Sequence, residues 1–355
     1  MKIIITTSMS GLGGTEHAAY RLGKLLLDHG HTVVLASSDG PLVKDAEAAG
    51  MKWYDIDFYS GKTGYLKGMA AYVSMLKKEQ PDIVHCQMAR IVPACAIAAK
   101  IASPKTKVFY HARGLEPETY PKIAKLFDKL GVYIIGNCRH ERDKLIRHGF
   151  PPQRIAYTYN ALPARSGRFE KKPKDEVVLG TLSRLSKTRA VHLVLDITKA
   201  LLDRGLPVRL SVAGIGEETD NLKAQAQALG IADKVDFLGG VRDLPAYFQE
   251  VDILLNTPVL IGDHGAGVGN NILEAGLYET PVVTYDGAGI SEMVVDGETG
   301  YCVPLEDQAR FIAAVETLVN DAALRKTMGK ALHDRVTTLC SDEEIYRTTV
   351  AAYHL

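Results

Sequence analysis

Short apolar runs and amphipathic stretches alternate along the whole chain. "KIIITTS" at 2–8 is apolar on consecutive positions, as in a strand buried on both faces. "GLGG" breaks the run, and over 15–29 the residues Ala18, Ala19, Leu22, Leu25 and Leu26 recur at helical spacing. "GHTVVLAS" then predicts a second strand. Strand, helix and strand within about thirty residues make a parallel crossover unit. The rhythm continues through the strand "DIVHC" (82–86), the helix-like "VPACAIAAKIA", and the strands "KVFYHA" (107–112) and "VYIIGNC" (132–138).

The period lapses at 165–176, "RSGRFEKKPKDE", which is polar, charged and predicted as a linker. A second series of strands follows in "VVLGTLSR", "VRLSVAG", "VDFLGG", "DILLNT" and "TPVVTYD", and from about residue 306 the pattern is helical. Two successive parallel α/β series predict two Rossmann-like domains facing a central cleft. The length of 355 residues agrees, since single cores stop growing near roughly 250–300 residues.

Charge changes the picture more than composition does. The formal net charge is zero, which argues against a nucleic-acid partner. Yet residues 1–165 carry 23 Lys+Arg against 14 Asp+Glu, and the remainder 19 against 28. The basic half faces an anionic lipid surface, a phosphorylated glycan or its acidic sister domain, or is simply solvated; charge alone does not choose. Cys86, Cys95, Cys138, Cys302 and Cys340 form no C-x-x-C pair, which suits a reducing compartment and free thiols. The opening apolar run is too short for a signal peptide, and "IVPACAIAA" is too short for a membrane span. A cytoplasmic protein is expected.

The chemistry concentrates where strands hand over to helices. In the second series the strand "DILLNT" is followed by a glycine-rich loop and the helix-like "NNILEAGLY". A helix N-terminus presents unpaired amides and about half a positive charge, which suits phosphate. Gly267 and Gly269 allow close approach, and Asn270 is the expected cap. Glu274 either accepts hydrogen bonds from ribose hydroxyls or complements the helix dipole. Arg184, Lys187 and Arg189 share another strand-to-helix loop, where cations can clamp a diphosphate; Gly214 and Gly216 stand in a third.

Seven stretches in order resemble the retaining glycosyltransferases of family 4, which have the two-domain GT-B fold. They are "GGTEHAAYRLGKLLLDHGHTVVLAS", the strand ending at His111, "SRLSKTRA", "VAGIGEE", "VDFLGGVRDLPAYFQEVDILLNT", "NNILEAGLYETPVV" and "DGETGYCVP". The resemblance implies that Gly14 lies near the donor diphosphate or the acceptor and His111 near the donor sugar. It also implies that Arg184 and Arg189 hold the diphosphate and Glu274 the ribose. Gly13, Val241, Asn270, Asn271 and Ile272 join Gly214, Gly216, Gly267 and Gly269 as implied donor-binding positions. By the same resemblance 1–165 is the acceptor-side domain, 166–176 the linker and 177–335 the nucleotide-sugar domain. The remaining residues, 336–355, form a helix crossing back to the first domain.

Two positions depart from the family pattern. Arg189–Ala190 stands where a Lys–Gly pair is usual, and Ala266 stands where the first of two paired glutamates is usual. Asp263 and His264 are the nearby groups able to take over from that carboxylate. The implied activity is retaining, metal-independent transfer from a nucleotide-sugar to a glycan or glycolipid acceptor. A UDP-sugar is the expected donor, with UDP-N-acetylglucosamine the specific candidate. Lipooligosaccharide or lipopolysaccharide core is the first-choice acceptor. Lys122, Lys125 and Lys129 either face the acceptor or an anionic membrane as a peripheral contact, or form the wet basic side of an amphipathic core helix, the reading these residues favour when taken alone. The other readings are a degenerate nucleotide- or sugar-binding protein, motivated by Ala266, and a GT-B epimerase or phosphorylase. A nicotinamide oxidoreductase fits less well, because "GLGGTE" does not match G-x-G-x-x-G and Asp39 is only a loose candidate for its ribose acid.

Overall fold

The first apolar run becomes β1 (Lys2–Thr6), in which Ile3, Ile4 and Ile5 are completely buried. Side chains on both faces of this strand meet packed layers, and each such burial contributes about 1.5–3 kcal/mol relative to exposure. The computed structural model describes residues 1–8, 14–115, 117–163, 171, 174–259 and 267–355. These divide into two compact units, Met1–Ala161 with Cys340–Leu355, and Leu162–Leu339.

In the first unit β1 is followed by α1 (Gly14–Asp28), β2 (Thr32–Ser37), α2 (Val43–Ala48), β3 (Lys52–Asp55) and α3 (Gly61–Glu79). Then come β4 (Ile83–Cys86), α4 (Val92–Ala102), β5 (Lys107–Ala112), α5 (Tyr120–Leu130), β6 (Tyr133–Gly136), α6 (Arg139–Arg147) and β7 (Ile155–Tyr157). The seven strands are parallel in the order β3-β2-β1-β4-β5-β6-β7. The chain reverses its direction across the sheet between β1 and β4, whose registers end at Thr6 and Cys86. In open parallel sheets ligands sit beyond the carboxyl ends of the strands at such a reversal.

The second unit repeats the plan with β8 (Val177–Leu182), α7 (Val191–Asp203), β9 (Val208–Ala213), α8 (Thr219–Ala228), β10 (Val235–Gly239) and α9 (Leu244–Glu250). It continues with β11 (Ile253–Asn256), α10 (Asn270–Leu277), β12 (Val282–Tyr285), β13 (Gly300–Val303), α11 (Gln308–Asn320) and α12 (Ala322–Leu339). Its six parallel strands run β10-β9-β8-β11-β12-β13, which puts the reversal between β8 and β11. Both sheets are therefore Rossmann-like. Most of the segment 165–176 lies outside the described residues. Lys171 within it is tied to the second unit, donating to the Val251 carbonyl and, at 2.8 Å, to Thr280 Oγ1.

The last helix, α13 (Asp342–Tyr353), packs on the first unit. Ser341 caps it by accepting from the Glu344 amide, Tyr346 stacks on His29 at 3.7 Å between ring centroids, and Thr348 bonds Thr158 at 2.8 Å. The described residues contain no disulfide, and four of the five cysteines are buried. No described helix is long and apolar enough to cross a membrane.

Candidate active site

The reversal in the second unit gathers three loops. The first, after β8, carries Arg184 and then a 3-10 turn, Lys187–Arg189, ending at Ala190 in the left-handed region (φ 45°). That backbone is one a glycine adopts without strain, which accounts for the departure at Ala190 being a local cost rather than a change of path. Thr257, just beyond β11, holds this loop by donating to the carbonyls of Arg189 (3.2 Å) and Ala190 (3.1 Å), and the Val259 amide donates to Thr188 (3.0 Å). The loops at both sides of the reversal are thus joined through the backbone.

Arg184 and Arg189 are both exposed, and among the described residues neither forms an ion pair or side-chain hydrogen bond. The Arg189 guanidinium is held below its ordinary range, first by desolvation from surrounding protein atoms and then by repulsion from Arg184. Two like charges that repel, with no carboxylate paired to either among the described residues, suit an anion. Lys187 is also exposed.

Gly214 and Gly216 serve this loop through packing. A Cβ at Gly214 (φ 147°) would lie 1.8 Å from the Ser183 carbonyl oxygen, and one at Gly216 2.1 Å from that of Leu185. The Gly214 amide already donates to Gly239 at 2.7 Å, and the Leu185 amide to Ile215 at 3.0 Å. The glycines let the β9–α8 loop lie directly against the two residues that flank Arg184. Val241, half-buried, occupies the next strand-end loop, after β10.

Helix α10 corrects one sequence expectation. Asn270 is not the cap: the N-cap is Gly269 in extended conformation (φ −68°, ψ 143°), a position with no side chain to cap the helix. A Cβ at Gly269 would approach Asn271 Oδ1 to 2.5 Å, so the glycine makes room for that side chain. Asn271 Oδ1 accepts from the Ile272 amide, while its Nδ2 donates to Asn256 Oδ1 at 3.1 Å, and Asn256 donates to Thr284 at 3.0 Å. Asn271 therefore fixes the helix to β11 and β12. The Ile272 side chain is fully buried in the core and its amide is already paired, so its contribution is structural. Gly267 adopts φ 76°, and Glu274 is a half-buried fifth residue of the helix. Asp263, His264 and Ala266 lie outside the described residues.

The reversal in the first unit carries a different chemistry. Gly13 lies outside the described residues, and Gly14 is the exposed first residue of α1. His111, near the end of β5, is buried, and its Nδ1 sits 3.2 Å from His85 Nε2 on β4. His85 Nδ1 lies 2.6 Å from the Tyr353 hydroxyl on α13. Burial and the neighbouring Arg113 charge push His85 down to about 3 and His111 well below the usual imidazole range, so both rings are neutral. The buried phenolic proton of Tyr353 needs an acceptor, and His85 Nδ1 is its partner. His85 then carries its proton on Nε2 and donates to His111 Nδ1. His111 is left with a proton on Nε2, an atom with no hydrogen-bond partner among the described residues.

Sequence reasoning missed Arg113, Gln87 and Asn160. Arg113 follows His111 by two residues and donates through Nε and Nη2 to Gln87 Oε1 (3.1 and 2.8 Å) and through Nη1 to Asn160 Oδ1 (2.6 Å). The available signal was the i, i+2 spacing at a strand end, which keeps both residues on one side of the sheet.

Comparison with known proteins agrees with the two parallel-sheet units. Residues 165–335 match the family described as Glycosyl transferases group 1, and residues 12–164 the family described as Glycosyltransferase Family 4. The capsular polysaccharide biosynthesis glycosyltransferase CapM of Staphylococcus aureus is 25% identical over 354 residues, spanning 91% of this chain and 89% of that one. The lipopolysaccharide core biosynthesis glycosyltransferase LpsE of Rhizobium meliloti (strain 1021) is 31% identical over 173 residues, 49% of this chain and 48% of its own. The crystal structure of Anabaena Alr3699/HepE in complex with UDP and glucose shares the fold, with a TM-score of 0.84 at 19% identity over 100% of this chain and 99% of that chain.

Proposed function

This chain is a glycosyltransferase of family 4 with the GT-B fold, and from that premise we propose that it moves a sugar from a UDP-sugar to a bacterial envelope glycan, retaining anomeric configuration and using no metal. The observation that carries the reading is the pair Arg184 and Arg189, exposed at a sheet reversal, mutually repelling and without acidic partners among the described residues. A leaving diphosphate needs its growing charge met, and two preorganised guanidinium groups supply what a metal would otherwise supply. In a retaining reaction the acceptor bond forms on the face that the diphosphate leaves. The departing phosphate oxygen can take the acceptor proton, so the protein's task is positioning and charge stabilisation. Glu274 holds the ribose, and His111 lies beside the donor sugar.

Support for UDP and for an envelope acceptor comes from relatives. HepE has been crystallised with UDP and with UDP-glucose, and CapM and LpsE are named for capsule and lipopolysaccharide core synthesis. Core oligosaccharide is the preferred acceptor and UDP-N-acetylglucosamine the preferred donor. The test is mass-resolved transfer from a panel of UDP-sugars to core oligosaccharide, with and without EDTA. One UDP-sugar should be consumed at an EDTA-insensitive rate, with an α-linked product from the α-linked donor. A β-linked product would refute retention, and loss of activity in EDTA would refute metal independence. Donor binding without transfer or hydrolysis would instead favour the degenerate binding protein.

The membrane reading gains support from the surface of the first unit. Ile97 and Ile101 on α4 are 40% and 60% exposed and Leu126 on α5 is 42% exposed, with Lys100, Lys122, Lys125 and Lys129 exposed around them. Lys100 reaches the Lys129 carbonyl at 3.5 Å, so the two helices present these groups together. Apolar side chains set among lysines suit the cytoplasmic face of an anionic bilayer. Vesicles containing phosphatidylglycerol should pellet the protein, and Ile101→Glu with Leu126→Glu should leave it in the supernatant. Equal pelleting with neutral vesicles would remove the proposal.

A further inference from the structure

The loops ending β4 and β5 hold a cation that no carboxylate among the described residues pairs with. All three hydrogen bonds of Arg113 go to neutral amide oxygens, two to Gln87 and one to Asn160. Among the described residues no carboxylate pairs with it; Glu16 acts on it only through the longer-range field. Burial lowers its pKa to about 10, which still leaves it charged at neutral pH. Arg113 is half-buried, and taking a guanidinium even partly out of water without a counter-ion is costly, a cost that amide dipoles offset only in part.

Its neighbours deepen the imbalance. Gln87 is 2% exposed, and Arg113 takes its Oε1, leaving a buried Nε2 with no acceptor among the described residues. His111 Nε2 is equally buried and unpartnered, and the Tyr353–His85 chain makes it a donor. Arg113, Gln87 and His111 thus offer donors at the ends of two adjacent strands, with a net positive charge and, for Gln87 Nε2 and His111 Nε2, no acceptor among the described residues. A neutral hydroxyl would satisfy one donor and leave the charge.

We propose that Arg113, with Gln87 Nε2 and His111 Nε2 beside it, binds an anionic substituent, a carboxylate or a phosphate, on one of the two sugar substrates. This rests on the glycosyltransferase reading above and specifies its substrate class. The two sources, donor sugar and acceptor sugar, share the same chemistry and are separated by experiment. Wild type and Arg113→Met are first titrated with UDP. UDP-glucuronic acid is then compared with UDP-glucose by calorimetry. In parallel, methyl glucuronide and glucose 6-phosphate are compared with methyl glucoside on the UDP-saturated protein by saturation-transfer NMR.

The expected result is UDP affinity within about twofold in both proteins and, in one arm, a preference of about tenfold for the charged sugar in wild type only. The arm that shows it names the source, and Arg113→Lys should keep part of it, since charge survives without the planar fork. Equal binding of charged and neutral sugars to wild type overturns the proposal, whatever the variant does to folding. So does loss of UDP binding in a folded Arg113→Met, which would make the guanidinium a diphosphate ligand. Failure of UDP to bind wild type is a separate failure, that of the nucleotide-sugar reading, and the free-sugar arm still judges the anion site.

Discussion

Replacing Arg184 or Arg189 with methionine should lower kcat about 100-fold, while leaving the melting temperature unchanged or slightly raised. The asymmetry follows from the surroundings of the two side chains. Both are exposed, neither is bonded to any described residue, and each repels the other, so the free protein loses no favourable contact when one is removed. The leaving diphosphate, by contrast, would lose a charge-assisted hydrogen bond at the moment its charge grows, and removal of one such preorganised donor typically costs 10²–10³ in rate. The double variant should fall short of the product of the single effects, because the two residues act on one group. Arg189→Lys, which restores the usual family residue, should keep most of the activity. Steady-state turnover at saturating donor, read beside thermal melts, decides the matter. Variants that fold and turn over within about twofold of wild type would remove these residues from the diphosphate site.

What the chain disclosed of itself follows the range of the interactions involved. Strands buried on both faces carry continuous apolar runs, so β1, β4, β5, β8, β9, β11 and β12 were readable from local pattern, while the short β13 was not. β3, "KWYD", lies at a sheet edge with two residues half-buried and two exposed, and offers no such run. The loop cations were readable because Arg184 and Arg189 are close in sequence and lie between a strand and a helix. The Arg113 cluster was not, because Gln87, Arg113 and Asn160 meet only when β4, β5 and β7 enter one sheet. Tyr353 was still more distant: its effect on His111 passes through His85 and depends on α13 returning to the first unit. The capping expectation at Asn270 failed for a local reason. Asn271 directs its amide to Asn256, and Gly269 begins the helix to leave room for it.

Glu274→Gln should weaken UDP binding about 10- to 100-fold, and a deoxy nucleotide can show why. The other reading of Glu274, a carboxylate complementing the helix dipole, weakens once the helix is seen to start at Asn270. Glu274 is its fifth residue, beyond the first turn in which that effect is concentrated. A carboxylate accepting from both ribose hydroxyls gains about 1.5–3 kcal/mol per charge-assisted bond, whereas an amide keeps one weaker acceptor. If the ribose is the partner, wild type should bind 2′-deoxy-UDP much more weakly than UDP, and Glu274→Gln should nearly abolish the difference. The loss caused by the side chain and the loss caused by the hydroxyl would then be the same loss, measured from two sides. The position of α10 should survive the change, since Asn271, Asn256 and Thr284 hold its start and His333 Nδ1 meets the Gly276 and Leu277 carbonyls at its end. Calorimetry with UDP and 2′-deoxy-UDP against both proteins gives the four affinities. Independent, additive losses would sink the ribose assignment, because two groups that touch cannot be removed without each altering the worth of the other.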